Sequence, residues 1–175
     1  MYYIYKPITI RLAVPADAPD MAEIHRRSWE VAYKGIVPDE YIQKQSKKRP
    51  ALWQRIITDD NRTKYVIQKD GKTVGFICVV PTTQDDDKTD DVCELEGIYL
   101  HPDFYRQGIG TRAMEFALDK AYGWNKSFMT LWVFSENINA IRFYENLGFA
   151  PDGKTKTYDM GKVIDCIRMR KELMR

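Results

Sequence analysis

Histidine is nearly absent from this chain, which carries only His25 and His101, and its three cysteines, Cys78, Cys93 and Cys166, stand far apart. Neither residue type recurs at metal-ligand spacing, so no metal site is expected. Each cysteine lies in an apolar, strand-like run, which points to buried free thiols rather than a disulfide framework. Excess charge of one sign is also missing. Lys and Arg number 27 against 25 Asp and Glu, a net charge of +2, which gives no reason to expect a nucleic-acid or membrane partner. The basic clusters Lys47-Lys48-Arg49 and Lys154 with Lys156 are short and read as solvated faces. No apolar run approaches a membrane span, and the stretch Met1 to Pro7 has neither a long apolar segment nor a small-residue cleavage site; a cytoplasmic protein is the expectation.

What is present is the composition of a globular domain. With 175 residues, 44% hydrophobic and 30% charged, the chain suits one compact domain over 1–175 with a sizeable core. Thr9 to Leu12 alternates as a short strand. Asp17 and Asp20 then place carboxylates early in a helix whose apolar face runs through Met21, Ile24, Ser28, Val31 and Ala32, and Gly35 closes it. A second helix is expected from Pro38-Asp39 and a third from Ala51 to Ile57, ended by Asp59-Asp60-Asn61. Trp29, Tyr33, Tyr41 and Trp53 fall on these helices at the spacing of core aromatics; Trp29 and Tyr33 are also kept as candidates for the wall of an acceptor site.

Asp70-Gly71, between Lys64–Lys69 and Lys72–Val80, predicts a tight antiparallel hairpin. The segment Asp85 to Asp91 carries five carboxylates and is expected to be solvent-exposed, since so dense a like-charge run resists burial. It reads either as a solvated loop or as a docking surface for a cation. Val92 to Leu100 is a strand interrupted by Glu94 and Glu96, Gly108 to Tyr122 a helix, and Phe128 to Phe134 a buried strand. Asn137 is placed to N-cap a helix over Ile138 to Leu147, stopped by Gly148. Two closing strands follow, near Phe149 and over Val163 to Met169. The fold class is α+β, with a mixed, mostly antiparallel sheet of about six to seven strands flanked by helices.

The segment from His101 to Thr111 follows a strand and opens a helix. Gly108 and Gly110 remove side chains that would keep a ligand from the main chain, and the first-turn N–H groups with the helix dipole behind them suit a phosphate, or better two. Tight packing alone is the competing account. Gly108-x-Gly110-x-x-Ala113 also satisfies the dinucleotide fingerprint, but seven residues separate it from the strand and no carboxylate stands about 20 residues on for a ribose. A nicotinamide or flavin site is therefore discounted. Without Lys-Ser or Lys-Thr after the glycines, so is a P-loop.

Tyr105-Arg106-Gln107-Gly108-Ile109-Gly110 resembles the acetyl-CoA loop Q/R-x-x-G-x-G/A of the GNAT N-acetyltransferase superfamily. Asn137 to Phe149 is similar to that family's N-x-x-A-x-x-x-Y-x-x-x-G-F segment, and the two motifs stand in the correct order and separation. The match covers about residues 92 to 150. Tyr105 departs from the family's Gln or Arg, which a loop gripping through main-chain N–H groups tolerates.

The resemblance implies a GNAT fold, acetyl-CoA as co-substrate without a metal, and direct acetyl transfer to a primary amine. Tyr105, Arg106, Gln107, Gly108, Ile109, Gly110, Thr111 and Arg112 would hold the pyrophosphate. Main-chain groups of Ile98, Tyr99 and Leu100, where the family splays two strands apart, would hold the thioester carbonyl. Asn137 corresponds to the residue bonding the pantetheine arm, and Tyr144 to the general acid that protonates the leaving thiolate. Glu94 falls where some members carry a general base; Glu96, on the same face of an unbulged strand, is its rival, and solvent a third option. The acceptor is expected to be a small amine, and Ser28 to Pro38 is similar to a group that includes polyamine acetyltransferases. Protein N-terminal acetylation and a noncatalytic acetyl-CoA sensor stand as alternatives. A homodimer, common in the family, is specified by no stretch here.

Overall fold

The structure, a computed structural model, describes residues 8–58, 63–85 and 89–174. Seven strands form one sheet in the order β1-β2-β3-β4-β5-β7-β6. They are β1 (Thr9–Leu12), β2 (Lys64–Lys69), β3 (Lys72–Val80), β4 (Val92–Leu100), β5 (Phe128–Phe134), β6 (Ala150–Asp159) and β7 (Val163–Glu172). Every pairing is antiparallel except β4 with β5. That parallel pair is joined by helix α3 (Ile109–Gly123), the crossover a parallel connection requires. The mixed, mostly antiparallel α+β architecture agrees with the sequence expectation.

Strand alternation builds two apolar layers. Ile67, Ile77, Val79, Leu95, Leu131 and Met169 pack with Ile109, Ala113, Met114 and Ala117 of α3, and with Phe143 and Leu147 of α4 (Ile138–Asn146). On the opposite face Val66, Phe76 and Cys78 meet Met21 and Ile24 of α1 (Ala18–Ala32) and Trp53 of α2 (Asp39–Ile56). Val37 and Ile42 cover Phe134, Ile164 and Cys166 further along that face. All three cysteines are buried and free. The α1 face is narrower than its sequence pattern, because Val31 and Ala32 are exposed and burial ends at Ser28.

One helix replaces the two expected between Pro38 and Ile57. Helix α2 continues through Pro50, which lacks the N–H that would bond back to Ser46. Burial of Ile42, Arg49 and Trp53 along one side supplies packing that continues past the proline. The expected stop at Asp59 to Asn61 lies outside the described residues. Asp17 is not a solvated first-turn carboxylate: it is buried and accepts two bonds from Arg11, at 2.8 and 2.9 Å, and one from the Val14 N–H at 2.8 Å. It therefore ties β1 to the start of α1.

Two irregularities shape the sheet centre. Register between β3 and β4 shifts between Cys78–Gly97 and Val79–Leu95, leaving Glu96 as an extra residue, so β4 is bulged where the sequence reading had it regular. The β4–β5 ladder runs only from Val92–Phe128 to Leu95–Leu131. Beyond Leu95 the strands part, and β5 stays paired to β7 through Phe134. No helix among the described residues is long and apolar enough to cross a membrane.

Candidate active site

The parted strands open a gap whose floor is backbone. The His101 N–H donates to the Val74 carbonyl at 2.8 Å, and antiparallel alternation then gives Tyr99 the same bonded relation to Phe76 across β3. Ile98 and Leu100 turn their N–H and C=O groups the other way, toward β5. Of the three main-chain candidates, Ile98 and Leu100 thus present polar groups to the gap, and Tyr99 contributes its ring on the α1–α2 side.

At the open end of the gap, the chain runs from β4 through a 3-10 turn at Pro102–Phe104 into α3. Arg106 and Gly108 both have left-handed φ, 60° and 74°, which reverses the chain tightly before the helix. The first helical bond, from the Arg112 N–H to the Gly108 carbonyl at 3.2 Å, leaves the amides of Ile109, Gly110 and Thr111 ahead of the ladder. The Ile109 side chain is buried in the core, so only its main chain serves the loop. A Cβ on Gly110 would come within 3.3 Å of the Phe143 ring, so that glycine joins α3 to α4 besides leaving the surface clear. Gln107 is engaged within the protein, donating to the Asp103 carbonyl at 3.2 Å and accepting from Lys69. Arg106, Thr111 and Arg112 are exposed and Tyr105 is half-buried. Lys69, from the β2–β3 hairpin, is a cation at this loop that sequence reasoning missed.

Across the gap, Asn137 caps α4, its Oδ1 accepting from the Ala140 N–H at 3.3 Å. Two turns later Tyr144 packs against Phe143 and Phe149, with ring centroids 5.3 and 5.9 Å away. Burial pushes its phenol well above the ordinary tyrosine value, and the nearby Tyr99 phenol adds to the rise. Tyr33 feels both Tyr99 and Tyr144 and is likewise raised, chiefly by burial. Tyr33, just past the end of α1, Tyr99 of β4 and Tyr144 of α4 are therefore electrostatic neighbours.

Glu94 and Glu96 occupy different surroundings. Burial raises the Glu94 carboxyl, a Thr83 hydrogen bond opposes that, Asp85 and Glu96 add to it, and Lys156 offsets part. Glu96 lines a cavity of about 680 Å3 with His25, Trp53, Phe76 and Tyr99. The two carboxylates remain close enough to sense each other despite the bulge.

Charged residues read as solvated are partly corrected. Asp85, first of the acidic run, accepts from Arg168 at 3.1 Å and from the Trp132 indole at 3.2 Å. Arg168 is buried, with its Nε on Asp152 at 2.7 Å, and the two carboxylates compensate its charge. Asp86, Asp87 and Lys88 lie outside the described residues; Asp90 is exposed. Lys156 holds its nitrogen 4.1 Å from the centre of the Trp132 ring. Arg49, at the end of its basic cluster, is buried beneath Trp29. Among the described residues, no group of three or more His, Cys, Asp or Glu is placed to hold a metal.

The acetyltransferase (GNAT) family profile matches residues 18–149, and the chain belongs to that family. An uncharacterized N-acetyltransferase of Methanocaldococcus jannaschii is 31% identical over 85% of this chain, which spans 63% of that relative's length. Another, from Archaeoglobus fulgidus, is 30% identical over 77% of this chain and 88% of its own. PaiA N-acetyltransferase from Thermoplasma acidophilum, solved in complex with coenzyme A, superposes with a TM-score of 0.76 at 21% identity, over 95% of this chain and 99% of its own. The chain is thus an acetyltransferase domain of the GNAT family.

Proposed function

We propose that this domain transfers acetyl directly from acetyl-CoA to a small primary amine, with Tyr144 as general acid. The observation that carries this reading is Tyr144, packed against Phe143 and Phe149 on the helix that meets the glycine loop where Phe143 approaches Gly110. Amides of Ile109, Gly110 and Thr111 receive the pyrophosphate, with Tyr105, Arg106 and Arg112 around it, while Gln107 and Lys69 brace the loop. The pantetheine arm lies between β4 and β5, reached by Asn137, and the Ile98 and Leu100 amides take the thioester carbonyl.

An amine of reference pKa about 10.4 is mostly protonated at neutral pH and loses a proton before attack. Glu94, whose raised carboxyl is a better base than an ordinary glutamate, receives it, directly or through water; Glu96 is the competitor. The free amine adds to the carbonyl carbon, charge builds on the oxygen, and the tetrahedral intermediate gives up the second amine proton to water and collapses to the neutral amide with loss of the coenzyme A thiolate. Tyr144 gives that sulfur its proton and regains one from solvent as the products leave. A phenol is protonated at neutral pH, and burial of Tyr144 keeps it so. Tyr144→Phe is expected to lower kcat by roughly 100-fold or more, the usual range for a proton-transfer group. Acetyl-CoA affinity, measured by titration, stays within about twofold. An unchanged kcat removes the acid role.

Polyamine acceptors, expected from the similarity of Ser28 to Pro38 and from the acidic run, lose part of their support because Asp85 is engaged by Arg168 and Trp132. Other small amines suit the gap equally.

A further inference from the structure

Two arginines are buried to the same extent, each 4% exposed, yet their surroundings are opposite. Arg168 lies between the carboxylates of Asp85 and Asp152. Arg49 has no carboxylate within 4.0 Å among the described residues; its Nη1 meets His25 Nδ1 at 2.7 Å, and its plane lies 4.3 Å from the centre of the Trp29 ring. Its other groups, Nε and Nη2, are buried without a hydrogen-bond partner there. These two nitrogens form one edge of the guanidinium, the edge that grips a carboxylate with two parallel bonds. The Trp53 indole also donates to His25 Nδ1, at 3.1 Å, so that nitrogen is the acceptor and Nε2 carries the hydrogen; Nε2 too is buried without a partner.

Burying a cation without a counter-charge is unfavourable, and burial drags the Arg49 guanidinium down to about 10 even against the raising effect of nearby phenols. The phenols of Tyr33, Tyr41 and Tyr99 surround it. Tyr33 touches Trp29, with centroids 5.0 Å apart, and senses Tyr144, so the unpartnered, buried guanidinium edge lies on the acceptor side of the proposed reaction centre. Trp29 and Tyr33, weak acceptor candidates by sequence, are the wall between them.

We propose that Arg49 is a specificity-determining residue whose Nε–Nη2 edge binds a carboxylate carried by the amine acceptor, making the substrate an amino acid or similar amino-carboxylate rather than a polyamine. The proposal rests on the acetyl-transfer reading above and narrows it. A bidentate, desolvated carboxylate discriminates against an uncharged counterpart, and a polycation meets a buried positive charge.

The test compares free amino acids with their primary amides, along with phenylethylamine and spermidine, by acceptor-dependent thiol release. At least one acid is expected to exceed its own amide in kcat/KM by roughly tenfold or more, in keeping with hydrogen bonds to charged groups. In Arg49→Met the ratio falls toward one; Arg49→Lys keeps part of it. Equal rates for acid and amide, preference for spermidine, or a preference that survives in Arg49→Met overturns the proposal. Should the variants fold poorly, 3-phenylpropionate against wild-type enzyme replaces them: inhibition competitive with the amine, absent for its amide, supports the site, and no inhibition overturns it. If no amine is acetylated, the transfer reading fails separately, and tryptophan fluorescence under 3-phenylpropionate titration, with coenzyme A bound, decides the anion site alone.

Discussion

Glu94 and Glu96 stand two positions apart on one strand in different surroundings, Glu94 near Thr83, Asp85 and Lys156 and Glu96 on the cavity with His25 and Tyr99. The Glu94 carboxyl is lifted by desolvation and by its acidic neighbours against the opposing Thr83 bond. A base acts when deprotonated, so kcat/KM should rise with pH through an inflection above the ordinary glutamate value of about 4.3. Glu94→Gln is expected to abolish that inflection, while Glu96→Gln keeps it; the reverse pattern makes Glu96 the base, and no change in either gives the proton to solvent. The motif places Tyr144 at the family's acid position. The upward push on its phenol was not legible, because it arises from burial and from Tyr99, distant in sequence and joined only by the folded sheet. Arg49 shows the same limit more sharply: its neighbours Lys47 and Lys48 are exposed, and nothing in a three-residue basic run reveals which member turns inward.

Among the elements, the loop before α3 was legible nearly residue by residue, since glycines, flanking strand and following helix all leave local signatures. Its two glycines differ in role. Gly108 holds φ at +74° with open space around a hypothetical Cβ, whereas Gly110 faces the Phe143 ring at 3.3 Å. Gly108→Val imposes left-handed strain of about 1–2 kcal/mol, and Gly110→Val pushes α3 from α4. Both should weaken acetyl-CoA binding about tenfold or more, a loss of about 1.4 kcal/mol, while thermal unfolding stays cooperative; binding retained in both would remove the loop from the cofactor site. The continuous α2 and the bulge at Glu96 were not legible, because each is decided by tertiary packing that overrides a local breaker or a regular alternation. The Arg11–Asp17 tie between β1 and α1 is a further element-scale contact. Arg11 holds the Asp17 carboxyl below the ordinary aspartate range, so its contribution is present above about pH 4 and fades as pH falls through the lowered value. Asp17→Asn should cost roughly 1–3 kcal/mol near pH 7, and denaturant melts should show the gap between wild type and variant closing in strong acid.

At the scale of the molecule, the sheet divides labour between its faces. The α3–α4 side carries the glycine loop proposed to hold the cofactor, with Asn137 and Tyr144, and the α1–α2 side carries Trp29, Tyr33 and Arg49; the parting of β4 and β5 lies between them. The sequence motifs lie mainly on the first side, where a shared ligand imposes a pattern. The acceptor side follows no comparable pattern, which is why its charge became visible only through packing. The central claim is acetyl transfer in a complex of enzyme, acetyl-CoA and amine. The direct measurement is thiol release from acetyl-CoA, with mass analysis of the product, across amino acids, polyamines, aminoglycosides and basic peptides. The account predicts release only when an acceptor is present, matched one for one by N-acetylated amine, without an acetylated enzyme. Tight acetyl-CoA binding with no acceptor-dependent release from any of them would contradict it and leave a sensor domain.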